Sequence, residues 1–162
     1  MQRCKKIRLG PDSEDTINLY AALRNAGCNI SHMAEDILDG PNFVTSMRIT
    51  EVEPVIVYGT ELGFVGNVEC RSIYQKALTI NGLDLCPAEV GPQFLLQHGN
   101  LLSKGEELII GMNPLPDPEN ANDHYVFSVY RGQIFDELWL SIRHCEITGT
   151  WEANKRWMFL NH

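Results

Sequence analysis

The chain has 162 residues, 44% of them hydrophobic, and a formal net charge of −8 from 13 basic and 21 acidic side chains. That length supports one core burying roughly 70% of the unfolded surface, so a single globular domain over residues 1–162 is expected. The negative field repels phosphate backbones and anionic lipid, and no run approaches the roughly 18 apolar residues of a membrane helix, so neither nucleic acid nor a membrane is an expected partner.

Asp12-Ser13-Glu14-Asp15 supplies cap residues and first-turn carboxylates, and the spacing of Ile17, Tyr20 and Ala21 predicts a helix from about Glu14 to Ala26, stopped by Gly27. Ser31 caps a second helix, about His32 to Leu38, ended by Gly40-Pro41. Val52–Tyr58 is β-branched enough for a strand, with Pro54 at its start or on a sheet edge because proline donates no ladder hydrogen bond. Asn67 is positioned to cap a third helix, about Val68 to Ile80, with Cys70, Ile73, Tyr74, Ala77, Leu78 and Ile80 on one side and Asn81-Gly82 as its stop.

Pro87 and Pro92 read as stiffening a turn that leads into a strand at Gln93–His98, with Phe94 and Leu96 facing the sheet. Further strands are expected at Glu107–Met112, Tyr125–Arg131, Ile134–Ile142 and Arg156–Leu160, all rich in β-branched and aromatic residues. Asn113–Asp123, with Pro114, Pro116 and Pro118, reads as a surface loop, and Tyr130-Arg131-Gly132-Gln133 as a tight hairpin turn. Helices first and strands later predict an α+β fold: N-terminal helices and one central helix packed on a mainly antiparallel C-terminal β-meander.

The start of the chain lacks the apolar core and small-residue cleavage site of a signal peptide, so a soluble, cytoplasmic protein is expected. Five cysteines at positions 4, 28, 70, 86 and 145, an odd number without paired short spacing, read as free thiols in a reducing compartment. No CxxC or HExxH is present. Cys28 and His32 span an interhelical turn, and His144-Cys145 sends its side chains to opposite sides of a strand, so no metal site is expected. Gly63-Phe64-Val65-Gly66-Asn67 lacks the Lys-Ser/Thr of a phosphate loop, and no cofactor is implied.

For nucleophilic catalysis the candidates are Cys86, which precedes Pro87 at a loop start, with Glu89 close in sequence and His98 as a base. Read as a strand, Gln93–His98 carries His98 roughly 17 Å from that loop, so the pair meets only if the chain folds back. A binding surface is the other candidate. Tyr125, Tyr130, Trp139, Trp151 and Trp157 crowd the C-terminal third with Arg131, Arg143 and Arg156 among them, and Trp, Tyr and Arg are the residues that anchor interfaces. Leu19–Leu38 also has the outline of a helix-turn-helix, but His32, Glu35, Asp36 and Asp39 on its second helix would face phosphates with carboxylates.

Glu61-Leu62-Gly63-Phe64, the run Gly82-Leu83-Asp84-Leu85-Cys86-Pro87-Ala88-Glu89-Val90-Gly91-Pro92-Gln93, and Gly105-Glu106-Glu107-Leu108-Ile109-Ile110-Gly111-Met112-Asn113-Pro114 together resemble a pattern shared by a set of small uncharacterised bacterial proteins. The resemblance covers the middle of the chain and implies a bacterial, intracellular origin. It implies no activity and no catalytic residue.

Charge, absent catalytic motifs and concentrated aromatics favour a non-enzymatic domain that binds another protein or a small ligand through its sheet and the loops at Pro87–Pro92 and Pro114–Pro118. The alternatives are a small hydrolase or transferase using Cys86 or Glu89 with His98, and nucleic-acid binding through Leu19–Leu38. Oligomeric state is not readable.

Overall fold

The computed structural model describes residues 1–11, 18–146 and 148–162. In chain order the elements are β1 (Gln2–Arg3), β2 (Ile7–Leu9), α1 (Leu19–Asn25), β3 (Asn29–Ile30), α2 (His32–Asp39), β4 (Thr50–Val52), β5 (Pro54–Tyr58) and β6 (Asn67–Glu69). There follow α3 (Cys70–Gln75), widening into a π-helical turn at Lys76–Ile80, then β7 (Leu83–Asp84), α4 (Val90–His98) and a 3₁₀ turn at Gly99–Leu101. The chain ends with β8 (Glu107–Ile110), β9 (Leu115–Pro116), β10 (His124–Arg131), β11 (Leu138–His144), β12 (Thr150–Glu152) and β13 (Arg156–Asn161).

Among the described residues nine strands form one sheet in the order β1-β5-β13-β8-β10-β11-β3, with β7 beside β13 and β9 beside β10. The fold is α+β. Most pairs are antiparallel, and β8, β10 and β11 run as the expected meander. The last strand, β13, does not extend that meander: it inserts between β5 and β8 and pairs in parallel with β8, while β3 pairs in parallel with β11. Pro54 opens β5, where its missing N–H costs no ladder bond, and its carbonyl still accepts from Cys4 at 2.8 Å.

Strand alternation sorts the sheet into two faces. On one, Leu108, Ile110, Phe127, Val129 and Leu140 meet α4; a Cβ on Gly91 would stand 3.2 Å from the Phe127 Cβ and 3.3 Å from Ile110 Cγ1, so glycine lets the helix approach. On the other, Val57, Ile109, Trp157 and Phe159 meet α3, whose Tyr74 ring packs edge-on against both Trp157 and Phe159. Trp151 of the small β6–β12 sheet closes over Trp157, ring centroids 5.0 Å apart.

Several expectations are corrected. Gln93–His98 is not a strand: Val90–His98 is a helix, with Pro92 in its first turn, where the missing N–H has no intrahelical acceptor in any case. Asn67 does not cap the third helix, because Asn67–Glu69 pairs with β12; the helix begins at Cys70, and Ile80 faces solvent. The cap expected at Asp12–Asp15 lies outside the described residues, and the described part of α1 is capped by Asn18, whose Oδ1 accepts from the Ala21 N–H at 3.0 Å. Ser31 caps α2 as expected, accepting from the Ala34 N–H. The link between α1 and α2 holds β3, a strand of the main sheet, rather than a free turn. Finally, β11 begins at Leu138, so residues 132–137 form a longer loop instead of a tight turn.

Candidate functional site

The three nucleophile candidates sit on α4 and its entry, and each is engaged separately. Cys86 is buried, its thiol donates to the Met158 carbonyl at 3.3 Å, and burial pushes its pKa well up. Glu89 is fully buried. Its Oε1 accepts from the Gly10 N–H at 2.9 Å and from Gln93 Nε2 at 3.1 Å, and its Oε2 accepts from the Ser46 N–H at 2.7 Å, so it ties two loops to the helix. His98 closes the far end of α4 and donates through Nε2 to the Lys6 carbonyl at 2.8 Å. Nine helical residues at 1.5 Å rise separate the ends by about 13 Å, and the structure does not bring these side chains together.

The eight binding candidates divide between core and surface. Trp157 is in the core, Tyr125 is buried and Trp151 packs on Trp157. Arg156 pairs with Glu106 and lies over the Tyr58 ring, 5.4 Å from its centroid. The remaining four gather around one end of the β10–β11 hairpin. Tyr130 and Trp139 are cross-strand partners whose rings lie parallel, centroids 6.0 Å apart. On the same face Arg143 of β11 reaches diagonally across β10 and pairs with both carboxylate oxygens of Glu107 of β8 through one guanidinium edge, Nε to Oε1 at 3.0 Å and Nη2 to Oε2. That contact holds the Arg143 guanidinium above its ordinary pKa, and burial with the Glu107 carboxylate raises the Tyr130 phenol.

Between these groups lies a hollow of about 410 Å³, whose lining includes Glu107, Ser128, Tyr130, Ser141 and Arg143. Ser128 faces Ser141 across the strands and is itself buried, its hydroxyl without a hydrogen-bond partner among the described residues. The face is thus divided. At its α3 end Trp157 and Phe159 are sealed, and at this end its aromatic pair is only half-buried.

The hairpin loop completes the surface. Arg131 grips Asp136 with Nε and with Nη2 at 3.0 Å, and its Nη1 donates to the Leu102 carbonyl at 2.8 Å. The Gly132 N–H donates to the Glu137 carbonyl at 2.7 Å, and Asp136 takes a left-handed φ of 56°. So braced, the loop holds Ile134 and Phe135 outward, 83% and 79% exposed. The hydrogen bond from Arg131 holds the Asp136 carboxyl below its ordinary range.

Two further clusters carry chemistry that the sequence reading missed. Cys70, Tyr74 and Cys145 line a pocket of about 560 Å³ with Arg71, Gln75 and Pro114. The Cys70 and Cys145 thiols interact directly, which lowers the pKa of Cys145 and raises that of Cys70. They lie 75 positions apart in sequence (145 less 70), so no spacing rule flags them. Asp123, His144 and Glu146 also converge, within 4.8 Å of one another. Asp123 faces the His144 Nε2 at 3.6 Å and Glu146 faces its Nδ1 at 3.5 Å. Since one ion takes only one imidazole nitrogen, this arrangement suits carboxylates flanking a ring better than a chelate.

No family model, no curated protein and no solved structure matches the chain. Among the described residues no helix is long and apolar enough to cross a membrane.

Proposed function

We propose that this is a protein-binding domain that docks its partner on the loop at residues 132–137 and the open end of the sheet beside it. The observation that carries the reading is the bare Ile134–Phe135 pair on a loop braced by the Arg131–Asp136 ion pair. Two large apolar side chains left in water gain nothing for the fold, and a braced loop binds without a large ordering cost. Next to them Tyr130, Trp139 and Arg143 supply the residue types that concentrate binding energy. The partner is a protein offering an apolar groove for Phe135 and Ile134 with a basic rim, since this chain carries −8.

The loops at Pro87–Pro92 and Pro114–Pro118 have no place in this reading. Glu89, Val90, Gly91 and Pro92 are buried under α1 and β2, and Pro114 belongs to the cysteine pocket. A bacterial, cytoplasmic setting remains part of the proposal, supported by the resemblance carried by the Glu61–Phe64, Gly82–Gln93 and Gly105–Pro114 runs.

The test is photo-crosslinking in extract of the source cells, with Phe135→benzoylphenylalanine as probe and the same replacement at exposed Glu119 as control. One covalent protein adduct from position 135, absent from position 119, is expected. Adducts equal at both positions, or none from 135, would remove the reading.

A further inference from the structure

The pocket beside α3, at the far end of β11 from the docking loop, points to chemistry independent of the docking surface. Cys70 opens α3, and its N–H donates to the Gly149 carbonyl at 2.9 Å; Cys145 follows β11, and its N–H donates to the His124 carbonyl at 2.9 Å. Both backbones are therefore pinned, and both cysteines, each 3% exposed, line the same 560 Å³ cavity. The cavity is walled by the Tyr74 ring, Pro114 and the stems of Arg71 and Gln75, a lining that favours an apolar occupant. The Tyr74 hydroxyl gives its proton to the Met112 carbonyl at 2.7 Å, which fixes the ring as a wall.

We infer that Cys70 and Cys145 form a dithiol centre that reduces a small apolar hydroperoxide in this cavity and closes to a disulfide. The Cys145 sulfur attacks the distal peroxide oxygen; an S–O bond forms, the O–O bond breaks, and the alcohol leaves with a proton. The Cys70 sulfur then attacks the Cys145 sulfenic acid; the S–S bond forms, the S–O bond breaks, and the hydroxyl leaves as water with the Cys70 proton. Two thiols are oxidised and one peroxide is reduced, and an external thiol reopens the disulfide. Cys145 is the first attacker because its interaction with Cys70 holds its thiol below the ordinary pKa against the opposing effect of burial. The other thiols lack this setting: Cys86 is committed to the Met158 carbonyl, and burial pushes both Cys4 and Cys28 away from the thiolate.

Reduced full-length protein is treated with cumene hydroperoxide and mapped by alkylation and peptide mass spectrometry. The expected product has a single disulfide joining Cys70 to Cys145, reversed by dithiothreitol, with Cys4, Cys28 and Cys86 still alkylated. In Cys70→Ser the reaction halts at Cys145 sulfenic acid, which dimedone traps. Five alkylatable thiols after treatment, or a disulfide to any other cysteine, overturns the inference on the unmodified chain, whether or not the variant folds. Dimedone on Cys70 instead of Cys145 in the matched Cys145→Ser and Cys70→Ser pair reverses the assigned roles.

Discussion

Glu89 shows how a residue chosen for chemistry turns out to hold the fold. Its two carboxylate oxygens satisfy Gly10 and Gln93 in buried contacts and Ser46 in a half-buried one. Removing the carboxylate strands two backbone N–H donors, each costing about 1–3 kcal/mol when buried. Glu89→Ala should therefore lose about 3 kcal/mol of stability in urea unfolding, with Glu89→Gln falling between because its amide retains one acceptor oxygen. A Glu89→Ala protein as stable as the parent would refute that role. Asp136 belongs to the surface instead. Its carboxyl is depressed in the folded state, so its contribution exists above the unfolded value near pH 4 and is lost as pH falls through the folded value. Amide shifts of residues 132–137 should accordingly move below about pH 4, and Arg131→Ala should bring that transition up to the ordinary carboxylate range.

At the scale of elements, α4 is where sequence and structure part. Val90, Gly91, Pro92, Gln93, Phe94 and Leu95 are all buried because the helix lies between the sheet and the α1–β2 layer. A helix covered on most sides has no amphipathic stripe, and a short apolar run beginning with prolines reads equally as a strand. The helices at His32–Asp39 and Cys70–Gln75, each with one face in the core, were readable from their spacing, as were β10 and β13 from their β-branched and aromatic content. Of the docking surface, Tyr130, Trp139, Arg131 and Arg143 were legible as residue types. Ile134 and Phe135 were not: placed in a strand, they looked like sheet residues, and only the wider loop turns them outward. Packing at Gly91 tests the placement of α4. Gly91→Val sets methyl groups against Phe127 and Ile110 and should cost about 2 kcal/mol or more despite a better helix propensity; a stability gain on thermal unfolding would mean that α4 does not press on the sheet there.

In the whole molecule the main sheet is tied at its centre by the last strand. Trp157, Met158 and Phe159 are fully buried between β5 and β8, so the end of the chain holds together its first half and its meander. Native-state hydrogen exchange should find the slowest amides in β13, β8 and β10, and faster exchange in the loop at 132–137, which lies outside that core; protection greatest in α1 and α2 would contradict this account of what carries stability. On this frame the sealed end of the α3-side face supports the fold, and the open end is free for a partner. The most direct measurement compares immobilised parent, Phe135→Ser, Trp139→Ala and Glu119→Ser proteins for retention of the protein crosslinked from position 135. Loss of an interface anchor of about 2 kcal/mol corresponds to roughly 30-fold weaker binding. Phe135→Ser should lose the partner by that factor while unfolding at the parent's temperature, Trp139→Ala should lose it with a lowered unfolding temperature because its ring also stacks on Tyr130, and Glu119→Ser should retain it. Undiminished retention by both anchor variants would show that the partner docks elsewhere.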